Sequence, residues 1–126
     1  MKKDIESRID IESMVNEFYD KVKKDLVIGY IFNDVVKVNW ESHLPRMYDF
    51  WENTILYTGK YEGNPMELHK HIQTLTPLTA EHFAEWNRLF IETVDGMFEG
   101  TNATLAKQRA LSISTVMQLK ILKPDS

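Results

Sequence analysis

The chain has 126 residues, which corresponds to one domain of ordinary size. Apolar residues make up 43% of it and aromatic residues 11%, which is enough for one hydrophobic core. The net charge of −4 disfavours nucleic acid as a partner because an acidic surface repels phosphates. The lack of cysteine excludes disulfides and thiolate-ligated metals, so a metal would need histidine, carboxylate or a bound cofactor.

Membrane partners are not expected either. No apolar run approaches the roughly 20 residues that span a bilayer. Residues 1–6 lack a hydrophobic segment of signal-peptide type. These features predict a cytoplasmic protein.

The first predicted helix starts near Asp10, a good N-cap residue. Tyr19 lies on the edge of its apolar stripe, and Gly29 ends the pattern before a short buried turn at residues 30–32. The stripe has helical spacing and comprises Ile11, Met14, Val15, Phe18 and Val22.

The second predicted helix runs from near Asn39 to Gly59. Pro45 falls inside its pattern, and proline is comfortable only in a first turn. Two alternatives follow: the helix starts later, near Ser42, or its first turns are kinked. Its apolar stripe comprises Trp40, Leu44, Met47, Trp51 and Ile55.

Residues 63–72 form a short amphipathic stretch, and two long helices follow it. Thr79 is expected to cap the first of these helices, and Gly100 to end it. The last helix starts near Thr101, and Pro124 lies beyond its end. The pattern is all-α, with an antiparallel C-terminal pair.

The four histidines are His43, His69, His71 and His82. They lack zinc and di-iron spacings, and we find no phosphate-binding glycine loop or serine nucleophile elbow. His69 follows Leu68 in the amphipathic stretch, and a neutral imidazole in an apolar wall is a typical ligand of haem iron. Spacing alone favours a half-exposed surface histidine at this position, and His71 would point to another side of a helix.

Other polar and aromatic residues have ordinary interpretations when they are considered singly. A tyrosine such as Tyr19 is usually a core residue with its hydroxyl at the surface, and Trp86 fits plain core. His43, near a helix start, is expected to be solvated. Arg46 and Arg109 fit solvated helix charges.

Taken together, these residues resemble the third group of the truncated haemoglobins, from about residue 10 to residue 121. The double-glycine motifs of the other groups are not seen. The matching stretches are Glu17–Tyr19, Ile31–Asn33, Trp40–His43, Tyr48–Trp51, Asn64–His69 and Leu78–Trp86.

The resemblance implies an all-α, globin-like, two-over-two helical sandwich that encloses haem b. It implies a single domain over residues 1–126, with a core at about 10–121 and short flexible termini. His69, four residues after Pro65, matches the proximal iron ligand. Tyr19 and Trp86 match the distal tyrosine and tryptophan, and His43 matches the histidine of the distal helix.

The resemblance also predicts a cofactor wall and a cation for the haem propionates. Arg46, one turn from His43, is the predicted propionate partner. The stretch between His69 and Trp86 is a few residues longer than in the shortest family members, which keeps His71 as an alternative ligand. The wall residues are Phe32, Met47, Phe50, Trp51, Leu68, Phe83 and Trp86.

The implied function is binding of dioxygen and other diatomic ligands such as NO and CO. Donors at Tyr19 and Trp86 would hold oxygen too tightly for easy transport, which favours ligand chemistry such as NO dioxygenation or peroxide reduction. Turnover would need a separate reductase. A monomer or weak homodimer is expected. The alternatives are a cofactor-free helical interaction module and a haem-based gas sensor.

Overall fold

The structure is a computed structural model that describes residues 2–31, 39–56 and 79–121. These ranges contain four long α-helices and no strand, and none of the helices is long and apolar enough to cross a bilayer. The all-α class predicted from the sequence is confirmed. The helices are α1 (Arg8–Lys24), α2 (Trp40–Leu56), α3 (Ala80–Met97) and α4 (Thr101–Ile121).

Helix α1 begins two residues earlier than the sequence indicated. Ser7 is its N-cap and has extended backbone angles. The Ser7 carbonyl accepts the first helical hydrogen bond from Ile11 N–H at 3.1 Å. The prediction that Asp10 caps the helix was wrong, because its buried carboxylate instead accepts from Lys3 Nζ at 2.8 Å and from Glu6 N–H at 2.9 Å.

Helix α2 is continuous through Pro45, so the later start near Ser42 was wrong. Asn39 sets the start, since its Oδ1 accepts from Glu41 N–H at 3.1 Å and its carbonyl accepts from His43 N–H at 2.9 Å. Pro45 therefore lies in the second turn, where its ring removes one backbone donor without ending the helix.

Helix α3 has the predicted cap at Thr79. The Thr79 hydroxyl accepts from His82 N–H at 3.3 Å, and His82 Nδ1 accepts from Thr79 N–H at 3.1 Å. This is a reciprocal capping box in which histidine takes the place usually held by glutamate or glutamine. The structure therefore assigns His82 a role in capping.

Each of the four described helices packs against two of the others. Helix α1 contacts α2 and α3, while α4 contacts α3 and α2. The aromatic centre of the core is formed by Phe18, Trp51 and Phe90, all buried. Three small buried residues of α4, at positions 103, 106 and 110, allow close approach of the neighbouring helices. This arrangement is the two-over-two sandwich that the resemblance implied.

The N-terminal segment holds the start of α4. The Asp4 carboxylate accepts from the backbone N–H groups of Asn102 and Ala103, each at 2.9 Å. The Asn102 side chain in turn donates to the Ile5 carbonyl at 2.7 Å. A residue almost the whole chain away thus supplies the N-terminal cap of α4.

Only glycine fits at position 100, next to the cap that Asp4 supplies. Its φ is +139°, and an added Cβ would lie 2.6 Å from Asp4 Cγ. We expect Gly100→Ala to lower the free energy of unfolding by about 1–3 kcal/mol, through backbone strain and displacement of Asp4. Urea unfolding followed by circular dichroism measures the change.

Gly96→Ala in α3 is the matched control. An added Cβ there meets nothing within 4 Å, so this variant should be unchanged or more stable by roughly 0.5–1 kcal/mol. Equal destabilisation by both substitutions would contradict the assigned role of Gly100.

Candidate functional site

The site lies where α1 crosses α2. Hydrogen bonds and ion pairs between polar side chains hold the two helices together there. Arg8 Nη1 donates to Asp49 Oδ1 at 2.6 Å and to Glu52 Oε1 at 3.0 Å. The Tyr48 hydroxyl donates to the Asn16 amide oxygen. These side chains belong to α1 and α2, so they fix the relative position of the two helices.

Tyr19 is the polar side chain that α1 buries at this crossing. It is 6% exposed, and the Phe18 ring packs against it with centroids 4.9 Å apart. Burial raises the pKa of the Tyr19 phenol well above its ordinary value. Tyr19 therefore stays protonated and keeps its O–H as a donor. The single-residue interpretation, with the hydroxyl at the surface, is not what the structure shows.

His43 and Trp40 meet Tyr19 from the opposite helix. The Tyr19 ring centroid is 5.2 Å from that of His43 and 5.4 Å from that of Trp40. Trp40 and His43 are themselves 5.7 Å apart, nearly perpendicular. Since they are three residues apart on α2, they share one helix face. The three rings form a closed aromatic triad.

The His43 imidazole has an unusual environment for a residue near a helix start. Its Nε2 is buried and has no hydrogen-bond partner among the described residues. Burial first, and the nearby Arg46 charge second, lower the pKa of His43, so it is neutral at pH 7. The expectation of a solvated histidine was wrong. A buried nitrogen without a partner, beside a tyrosine that stays protonated, fits a site that receives a small polar ligand.

Trp86 joins the site through a second set of rings. It contacts Phe18 edge to face at 5.5 Å and stacks on Phe90 at 5.9 Å. Phe90 stacks in turn on Trp51 of α2 at 4.7 Å. Phe18 therefore lies between the Tyr19 triad and the Trp86 stack, and Trp86 is half-buried. The structure brings Tyr19 and His43 into direct contact, and the Phe18 ring links Tyr19 to Trp86.

The other residues predicted to line the cofactor differ in how deeply they are buried. Trp51 and Phe83 are buried, while Met47 and Phe50 are half-buried and pack against the core. Arg46 is exposed, as is Arg109, and Arg46 makes no ion pair within the described ranges. Phe32, Leu68, His69 and His71 lie outside the described residues.

Sequence reasoning gave no site role to Trp40 or Lys23. Trp40 was assigned to an apolar stripe and to a stretch that matches the family, without a role in the site, yet it contacts both polar rings of the triad. Lys23 Nζ lies 4.9 Å from the centroid of the Trp40 ring. The spacing Trp40–His43 on one helix, and Tyr19–Lys23 on another, was the available sign, since residues three or four apart share a helix face.

Comparison with known proteins gives the class of the molecule. No protein-family model matches the chain. A curated group 3 truncated haemoglobin from Campylobacter jejuni is 30% identical in an alignment that covers 98% of this chain and 97% of that protein. The crystal structure of a group III truncated haemoglobin from Campylobacter jejuni matches with a TM-score of 0.85 at 29% identity, covering 100% of this chain and 99% of that one.

The helical sandwich and these likenesses define a globin-type protein of the haem-binding class. Within that class, the chain belongs to the group III truncated haemoglobins. The fold and the family predicted from the resemblance are confirmed, while the roles of single site residues stay predictions.

The environment of His43 makes a direct prediction about its titration. Its pKa in the folded chain should lie below the ordinary 6.5. Arg46→Gln should raise that pKa but leave it below 6.5, because burial is the larger cause. NMR titration of the His43 ring measures both values, and Arg109→Gln is the control that should change neither.

The same shift links stability to pH. Between the lowered pKa and 6.5, the unfolded chain binds a proton at His43 that the folded chain does not. Stability therefore falls as pH falls through that range. A His43 pKa at or above 6.5 in the unsubstituted protein would contradict the burial of this ring.

Proposed function

We propose that this chain binds haem b through His69 and takes up dioxygen and other diatomic ligands on the side of the ring where Tyr19, His43 and Trp86 lie. The observation that carries the proposal is the buried His43 Nε2 without a described partner, in ring contact with a buried, protonated Tyr19. Membership of the group III truncated haemoglobins supports the cofactor.

When bound, haem supplies an iron that accepts small ligands such as O2, NO and CO. The chain supplies the surroundings of that ligand. Tyr19 offers an O–H and Trp86 an indole N–H, which donates and cannot accept. His43, neutral at pH 7, offers one ring nitrogen as donor or acceptor. The rings of Phe18 and Trp40 exclude water, which strengthens each hydrogen bond.

The cofactor itself needs an apolar wall and a cation. The buried Trp51 and Phe83 and the half-buried Met47 and Phe50 supply apolar surface in the described part of the chain. Phe32 and Leu68 are proposed to complete that wall. Arg46, exposed and one turn after His43, is proposed to pair with a haem propionate, since a guanidinium binds carboxylates well.

Tight ligand retention favours chemistry over transport. We propose that haem held in this site would support the oxidation of nitric oxide by dioxygen to nitrate, and each turnover would need one electron from outside the chain. A separate reductase is proposed to supply that electron. Peroxide reduction is the other version of this chemistry. Cytoplasmic location and a monomeric or weakly dimeric state stay predictions.

Removal of the donors should speed oxygen release. Tyr19→Phe and Trp86→Phe should each raise the oxygen dissociation rate constant by about ten- to hundredfold, because a hydrogen bond to a charged group is worth roughly 1.5–3 kcal/mol. Stopped-flow replacement of oxygen by carbon monoxide measures the rate. Tyr30→Phe is the matched control, since Tyr30 is exposed and bonds to His82 at 3.5 Å. Rates within twofold of the unsubstituted protein in both variants would show that these side chains do not contact the ligand.

Rapid mixing with nitric oxide tests the chemical step. The oxygen-bound protein should convert to the ferric form within the mixing experiment, with nitrate as product. Slow conversion without nitrate would leave reversible binding or gas sensing as the function.

A further inference from the structure

Trp40 lies at the N-terminal end of α2, where the backbone has few hydrogen-bond partners. It is the first residue of α2, and the first turn of a helix lacks intrahelical partners for its N–H groups. Asn39 caps this turn through Glu41 N–H. The Trp40 side chain itself is half-buried, with its ring against Tyr19 and His43. Its location therefore depends on contacts made by the indole.

Lys23 provides a second contact from α1. Its ammonium lies 4.9 Å from the Trp40 ring centroid, and tryptophan is the aromatic side chain that attracts a cation most strongly. Lys23 follows Tyr19 by four residues, so both lie on one face of α1. Helix α1 thus contacts Trp40 at two points, one a ring and the other a cation.

We propose that Trp40, held by Lys23, is a positioning residue that fixes the Tyr19 phenol and the His43 imidazole in the pocket. The inference rests on the proposed function. Tyr19 has two rotatable side-chain bonds, and the rings of Phe18, His43 and Trp40 surround it. Loss of the indole removes one of these three rings and leaves the phenol and the imidazole space to reorient.

A hydrogen bond is sensitive to such reorientation because it weakens steeply as its angle closes. A phenol that turns away from the ligand loses its donor function without leaving the pocket. Trp40 acts in this way through Tyr19 and His43.

The test uses the full-length, haem-loaded chain as its carbon monoxide complex. The C–O stretching band, recorded by infrared spectroscopy, responds to donors beside the ligand, and the oxygen dissociation rate constant is measured in parallel. The variants are Trp40→Ala, Trp40→Phe and Lys23→Met. Lys24→Met is the matched control, since Lys24 is the exposed neighbour.

Trp40→Ala should split or shift the C–O band and raise the oxygen dissociation rate about tenfold. Trp40→Phe should restore most of the original band because it keeps a ring in place. Lys23→Met should raise the rate about two- to fivefold, in line with one cation–π contact. Lys24→Met should change neither readout. Adding Lys23→Met to Trp40→Ala should have no further effect, since the lysine acts through the indole.

A band and a rate like those of the unsubstituted protein in both Trp40→Ala and Lys23→Met would overturn the positioning role. A purely structural role would lower the unfolding midpoint without moving the band, and would overturn it too. If Trp40→Ala does not fold, Lys23→Met at the surface decides the matter.

The proposed function fails in a different way. In that case the unsubstituted chain takes up no haem, or Tyr19→Phe leaves the C–O band in place. A shift of the band by Tyr19→Phe together with no shift by Trp40→Ala and Lys23→Met rejects the positioning role alone.

Discussion

The contact between the Tyr19 phenol and the His43 imidazole across the α1–α2 crossing is the constraint on which the rest of the site depends. Both are polar side chains within an aromatic environment, where burial raises the pKa of Tyr19 and lowers that of His43, so that each favours its uncharged form. A buried polar atom without a partner destabilises a fold. His43 Nε2 is such an atom among the described residues. The ligand proposed above would give this nitrogen a partner.

Contacts in the surrounding structure fix the positions of the helices at this crossing. Arg8 ties α1 to α2 with two carboxylates, and the stacked rings of Trp51, Phe90 and Trp86 connect α2 to α3. The result is a packed set of aromatic rings with a few polar groups among them, which is the general composition of a small-molecule site. Such a set of rings excludes water and so increases the strength of each donor that faces a bound ligand.

Much of the fold could be predicted from the sequence. The apolar stripes of α1 and α3 have clear helical spacing, and the Thr79 cap and the break at Gly100 follow from local chemistry. The start of α1 could not be predicted, because Ser7 and Asp10 are both good caps and the bonds that occupy the Asp10 carboxylate come from the segment before the helix. The cap that Asp4 supplies to α4 could not be predicted either, because it joins residues at opposite ends of the chain.

The residues of the candidate site could be predicted only as a set and not one by one. Tyr19, His43 and Trp86 each have an ordinary interpretation alone, and the resemblance selected them through their order and spacing. Their burial depends on partners from another helix, so no local pattern contains it. Trp40 and Lys23 were missed because helical spacing shows only which residues share a face, whereas their contact joins two helices.

We propose that the imidazole of His69 anchors an iron porphyrin beside these rings. Titration of the purified chain with haemin, followed in the Soret region, tests it most directly when His69→Ala and His71→Ala are titrated in parallel. We expect tight, stoichiometric uptake by the unsubstituted chain and by His71→Ala, with weak uptake or a displaced band for His69→Ala. A chain that develops no Soret band, or one that loses haem with His71→Ala and keeps it with His69→Ala, would contradict the account.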